Sequence, residues 1–168
     1  MELERLNNMA RSEVVQEFLK CCGSLNWAVR LADERPFHNT DSLLRTSDDI
    51  WWSLDAKDWL EAFSHHPKIG ERKAAREVDA EAQRWSEEEQ SGTRLAAEET
   101  MLELINANHE YERKFGFIFI VCATGKSTEE MLGLLKHRLK NGADEELRIA
   151  AEEQRRITNL RLKKLLEQ

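Results

Sequence analysis

Apolar residues recur three and four positions apart through most of the chain, the spacing of one helix face. In SEVVQEFLKCCGS (12–24) that rhythm predicts a helix, with Ser12 placed to cap its start and Gly23 to end it. SLNWAVRLADERPF (24–37) repeats the pattern until Pro36 stops it. The stretch 41–66, DSLLRTSDDIWWSLDAKDWLEAFSHH, predicts two short helices capped at Asp41 and Asp55. A long helix follows in 84–116, its inner face expected from Leu95, Leu102, Ile105 and Tyr111 and its end at Gly116. STEEMLGLLKHRLKNG (127–142) opens on a capping box, Ser127 with Glu130, and the last helix fills 144–168.

Two segments break the rhythm. KIGERKAAREVDAEAQRW (68–85) is polar and charge-rich, which predicts a loop or a loose surface helix. FIFIVCA (117–123) is the one β-like run, and one strand cannot make a sheet, so a buried connector is expected there. With no repeat, no sustained heptad and no linker between two compositions, the expectation is all-α: a single-domain helical bundle over 1–168.

Composition narrows the function. A net charge of −7 argues against a nucleic-acid binder, and no apolar run reaches membrane-span length. The N-terminal residues resemble neither a signal nor a transit peptide. Three cysteines, two of them adjacent at Cys21 and Cys22, give no disulfide framework and no metal-type spacing, which fits a reducing cytoplasm.

Several residues depart from their surroundings. In the last helix Leu147, Ala150, Ala151, Ile157 and Leu165 point one way, and Arg161 starts from that apolar stripe. An arginine there pairs with an internal carboxylate, snorkels to the surface, or clamps an anionic ligand, with Gln154 as a polar neighbour in each case. In WSEEEQ, Ser86 and Glu89 have capping-box spacing, which by itself accounts for both. The string ATGKS lacks the first glycine of a phosphate loop, leaving only Gly125 and the next helix start as amides able to meet an anion.

The sequence FSHHPKIGE (63–71) holds two of the chain's five histidines. Neighbouring side chains on a helix point roughly 100° apart, so both face one site only where the helix has ended. Pro67 disfavours helical geometry at the residue before it, which places His66 first out of the helix on a rigid corner with the Gly70 turn. That position suits a general acid or base, and equally an ordinary loop histidine. Adjacent histidines without a convergent carboxylate set make a poor metal site. Cys122 beside His66 is a further candidate, as the nucleophile of a thiol-dependent hydrolase, against a packed and inert thiol. A helical interaction module without catalysis is a third class, binding through its acidic faces.

HPKIGE, WSEEEQ, KFGFIFIVCATGKS and the late arginine of RRITNLRLKKL together resemble the 2-oxo-4-hydroxy-4-carboxy-5-ureidoimidazoline (OHCU) decarboxylase family, over nearly the whole chain. The resemblance implies an all-α fold of that type, a homodimer and no metal or organic cofactor. It also implies a small anionic ureide as substrate, converted to (S)-allantoin and carbon dioxide. Carried over by motif, His66 is catalytic with Glu89 to orient it. Pro67, Ser86, Gln90, the segment Phe119, Ile120, Val121, Cys122 and Ala123, and Arg161 bind substrate. His65 has no role in the motif. Ile118 stands where the family often has proline.

Overall fold

The computed structural model describes residues 1–67 and 87–168, with the backbone alone for 87–96. Among these residues the regular elements are α1 (Leu3–Asn8), α2 (Arg11–Cys21), α3 (Leu25–Asp33), α4 (Thr40–Trp52), α5 (Ala56–Ser64), α6 (Glu87–Phe115), α7 (Thr128–Arg138) and α8 (Ala143–Glu167). The all-α expectation holds, and 117–123 is a connector without strand pairing. The stretch 68–85, the Gly70 turn and Ser86 lie outside the described residues, as do the side chains of Glu89, Gln90 and Leu95.

Helix starts follow local chemistry more closely than the expected boundaries. Ser24 caps α3, its hydroxyl accepting from the Trp27 amide at 3.3 Å. At α4 the cap is Asn39 rather than Asp41: its side chain accepts from the Ser42 amide at 2.8 Å, and the Ser42 hydroxyl accepts from the Asn39 amide at 3.2 Å. Asp41 instead occupies the first turn, where a carboxylate complements the positive end of the helix. Ala10 precedes α2, so Ser12 caps nothing, and Asp55 occupies the N-cap of α5 without a side-chain bond. The short α1 escaped the sequence reading because six residues carry too little periodicity.

The chain divides into two compact units, Met1–His66 with Ile149–Gln168, and Pro67–Arg148. In the first, Leu6, Phe18, Trp27, Leu31, Leu43, Phe63 and Leu162 are wholly or almost wholly buried. Three buried indoles each find a carbonyl, the usual condition for burying tryptophan. Trp27 donates to Ser47 at 3.3 Å, Trp51 to Ala151 at 2.9 Å and Trp59 to Trp51 at 3.0 Å. The Trp51 bond ties α4 to α8, the helix that carries Gln154 and Arg161.

In the second unit Leu104, Ala107 and Tyr111 of α6 pack with Phe119, Val121, Met131 and Leu135. Leu102, expected inside, is 60% exposed. Nine residues separate it from Tyr111, which on an α-helix is about half a turn of azimuth, so the two cannot share a face. The core also holds an ion pair. Arg138 donates to Glu146 at 2.6 Å, and the same carboxylate accepts from Tyr111 at 2.5 Å and from Asn141 at 3.0 Å. The guanidinium lies 4.5 Å above the Phe119 ring and donates to the Ile120 carbonyl at 2.6 Å.

Candidate active site

The chain leaves α5 as the histidine–proline pair requires. The helix ends at Ser64, His65 is its cap, and the last turn tightens through His65 N–H to Ala62 O at 3.3 Å and His66 N–H to Phe63 O at 3.2 Å. His66 is therefore past the cap, as expected. The two rings separate in environment: His65 is exposed and His66 half-buried. Gly23 makes room for the first of them, since a Cβ there would lie 2.5 Å from His65 Cγ. Gly23→Ala therefore pushes the His65 ring and the turn that carries His66; turnover is expected to fall several-fold with the helical circular dichroism retained, and unchanged turnover would show that the turn absorbs the shift.

His66 Nε2 meets Oε1 of Gln154 at 2.5 Å. Gln154 is wholly buried, and its amide nitrogen donates to the Thr158 hydroxyl at 3.1 Å. Thr158 in turn lies beside the Cys22 thiol, where it favours the ionised form against burial. Burial lowers the His66 pKa below its ordinary 6.5; the Gln154 bond opposes that, and Arg161 and His65 add to it. Burial thus favours the neutral imidazole. Burial raises the neighbouring thiols, Cys21 to about 12 and Cys22 to about 11, so neither is a thiolate nucleophile near neutrality.

Arg161 corrects the expectation of an inward, buried guanidinium. It is seven residues from Gln154 and hence on nearly the same face of α8, yet it is exposed. The covered face consists of Glu146, Ala150, Ala151, Gln154, Thr158, Leu162 and Leu165. Among the described residues Arg161 makes no ion pair; its one hydrogen bond is to the Cys21 carbonyl at 3.5 Å, long for such a bond. Its charge nonetheless acts on His66, Cys21 and Cys22. Of the three fates open to this arginine, the pairing with an internal acid is not found among the described residues, and its exposure is that of a side chain reaching the surface.

The segment 119–122 is buried, and its geometry follows from Arg138. With the Ile120 carbonyl turned to that guanidinium, the trans peptide points the Val121 N–H the opposite way. Among the described residues that buried amide donates to nothing. Buried amides without a partner are rare, which makes this one a ready donor. The helix start after ATGKS is less available than expected: Ser127 and Glu130 cap each other's amides at 3.1 and 3.2 Å, and Lys126 donates to the Cys122 carbonyl at 2.8 Å. Among the described residues no three His, Cys, Asp or Glu side chains group as metal ligands.

The sequence named Gln154 only as a neighbour of Arg161 and missed it as the partner of His66. Its signal was a long amide on the covered face with a threonine one turn later. Ser86, Glu89 and Gln90 cannot be set beside these residues, since they lie outside the described side chains.

An all-helical protein with a histidine-centred polar site is the class these features define. A sequence profile described as OHCU decarboxylase matches residues 7–163. The chain belongs to the OHCU decarboxylase family. The "Uric acid degradation bifunctional protein TTL" of Arabidopsis thaliana is 39% identical over 150 residues, 89% of this chain and 46% of that protein. This chain thus spans less than half the length of that bifunctional relative. The 2-oxo-4-hydroxy-4-carboxy-5-ureidoimidazoline decarboxylase of Amia calva is 28% identical over 171 residues, covering 99% and 95% of the two chains. A crystal structure of OHCU decarboxylase in the presence of (S)-allantoin is similar with a TM-score of 0.74 at 37% identity, over 90% of this chain and 98% of that one.

Proposed function

We propose that the chain converts 2-oxo-4-hydroxy-4-carboxy-5-ureidoimidazoline to (S)-allantoin and carbon dioxide, with His66 as the proton-transfer group. The observation that carries this reading is the half-buried, neutral imidazole under the influence of an arginine that no described acid neutralises. Bond by bond, the carbon–carbon bond to the carboxylate breaks and its electron pair enters the ring, displacing the ring C=N pair onto nitrogen. The hydroxyl loses its proton as the ring carbonyl forms, and a proton is added to the neighbouring carbon, which becomes the stereocentre. The ring nitrogen that received the pair takes a proton from solvent, so one net proton is taken up per carbon dioxide released. The substrate serves as its own electron sink, so the protein supplies binding, proton transfer and handedness. A neutral imidazole can take the hydroxyl proton and return it to carbon from one side.

Arg161 would hold the anionic carboxylate, and the Val121 amide, which donates to nothing among the described residues, supports the assignment of 119–123 to substrate binding. Pro67, Ser86, Glu89 and Gln90 are proposed as site residues on their motifs alone. We take both units as one domain, which the family match across 7–163 supports, and the chain as a cytoplasmic homodimer. Sedimentation of a monomer at micromolar concentration would overturn the dimer.

The direct test supplies freshly hydrolysed urate-oxidation product and follows the rate and optical rotation of allantoin. Racemic product at the spontaneous rate overturns the reading. Arg161→Ala is expected to raise KM for the anionic substrate by on the order of tenfold or more, the scale of a lost charge-assisted bond. Its stability should move by no more than about 0.5 kcal/mol, because the side chain is exposed. An unchanged KM would return Arg161 to the surface.

A further inference from the structure

The polar relay behind His66 carries an inference about which nitrogen does the chemistry. Imidazole has two inequivalent nitrogens, and the partner of one decides which holds the proton. Gln154 presents its carbonyl oxygen, which can only accept, to Nε2 at 2.5 Å. In this orientation the nitrogen of the same group donates to the Thr158 hydroxyl at 3.1 Å. Burial of Gln154 at 0% and Thr158 at 4% exposure keeps water from competing for either contact.

We propose that Gln154 is a positioning residue that keeps the His66 proton on Nε2 and leaves Nδ1 as the nitrogen that exchanges a proton with the substrate. This rests on the decarboxylase reading for the identity of the substrate, but not for the tautomer. When Nδ1 takes the hydroxyl proton the ring becomes an imidazolium. Its Nε2–H bond to the Gln154 carbonyl then becomes charge-assisted and strengthens at that step. A neutral amide does this without holding the resting ring protonated, as a carboxylate in its place would. The charged or titratable groups acting on His66 among the described residues are Arg161 of α8 and His65 beside it; both disfavour its charge. Cys22, at the end of α2, meets the relay through Thr158, and with its thiol raised to about 11 it adds no charge near neutrality.

The test is nitrogen NMR of protein labelled at histidine, with the His66 signals assigned by their loss in His66→Asn. Above its titration, wild-type His66 is expected to show a protonated Nε2 and a bare Nδ1. A proton on Nδ1 overturns the proposal whatever the activity, and the tautomer itself is read on the wild-type protein. Gln154→Leu, similar in size, should lower kcat by on the order of ten- to a hundredfold with KM nearly unchanged and the tautomers mixed. Gln154→Glu should keep Nε2 protonated and move the acid limb of kcat/KM upward by about one pH unit or more. Unmoved limbs and an unmixed tautomer in these variants would reduce Gln154 to packing. Failure of the decarboxylase reading looks different: an inactive wild type with the Nε2–H signal in place.

Discussion

On the proposed mechanism, His66→Asn is expected to lower the kcat of decarboxylation by a factor on the order of 10² to 10⁴, the usual contribution of a placed general acid or base. Asparagine retains a donor and acceptor of similar reach but cannot carry a proton between two atoms. The helical circular dichroism should be retained, because the ring is only half-buried and lies past the end of α5. Allantoin formed by the variant should lose its handedness as the spontaneous route takes over. Equal rate and equal optical rotation in both proteins would remove His66 from the mechanism. The pH dependence has a definite sign. Because burial lowers the pKa below 6.5, the folded protein binds fewer protons than the unfolded chain between that lowered value and 6.5. The stability owed to the neutral ring is complete above this window and falls as pH drops through it. The acid limb of kcat/KM should likewise fall below pH 6.5, and a limb above it would contradict the burial.

The second large effect concerns stability. Arg138→Leu leaves Glu146, 0% exposed, with Tyr111 and Asn141 but no positive charge. Breaking a buried pair from one side costs about 3–5 kcal/mol, most of it the penalty on the abandoned charge. Urea unfolding should show that loss. The double variant Arg138→Leu/Glu146→Leu should recover much of it, since well-packed apolar groups can replace both charges together. A single-variant loss under about 1 kcal/mol would mean that Tyr111 and Asn141 satisfy the carboxylate alone. Under the proposed substrate-binding role of 119–123, decarboxylation should suffer as well, because Arg138 holds the Ile120 carbonyl and with it the orientation of the next amide.

The site was legible in part, and the limits have physical causes. A proline after two histidines was enough to separate His66 from His65, because the restriction is local to the backbone. The capping box at Ser127 was equally local, and it forms, whereas the helices expected to start at Ser12 and Asp41 are entered through Ala10 and Asn39. Azimuth around a helix was also readable, but it does not say what covers that face. Arg161 has the azimuth of a buried residue and is exposed, while Arg138, in the basic run KHRLK, resembles a solvated helix end and is 5% exposed. Its partner Glu146 sits in the acidic first turn of α8, where nothing in the sequence marks it for burial. Gln154 was visible as a polar residue on a covered face, but its partner is 88 residues away and no spacing rule spans that distance.

The turned peptide at Ile120–Val121 sets where evolution and engineering can act. A donor that belongs to the main chain survives any exchange of the valine side chain for another of similar size, so ordinary substitution there leaves the hydrogen-bonding group intact. Removing it takes a change of the backbone itself, proline or an amide-to-ester replacement at Val121. The side chain that governs its direction is Arg138, 17 positions later in the chain. Under the proposed role of 119–123 in substrate binding, that capacity depends on Arg138, a residue to which no substrate contact is assigned.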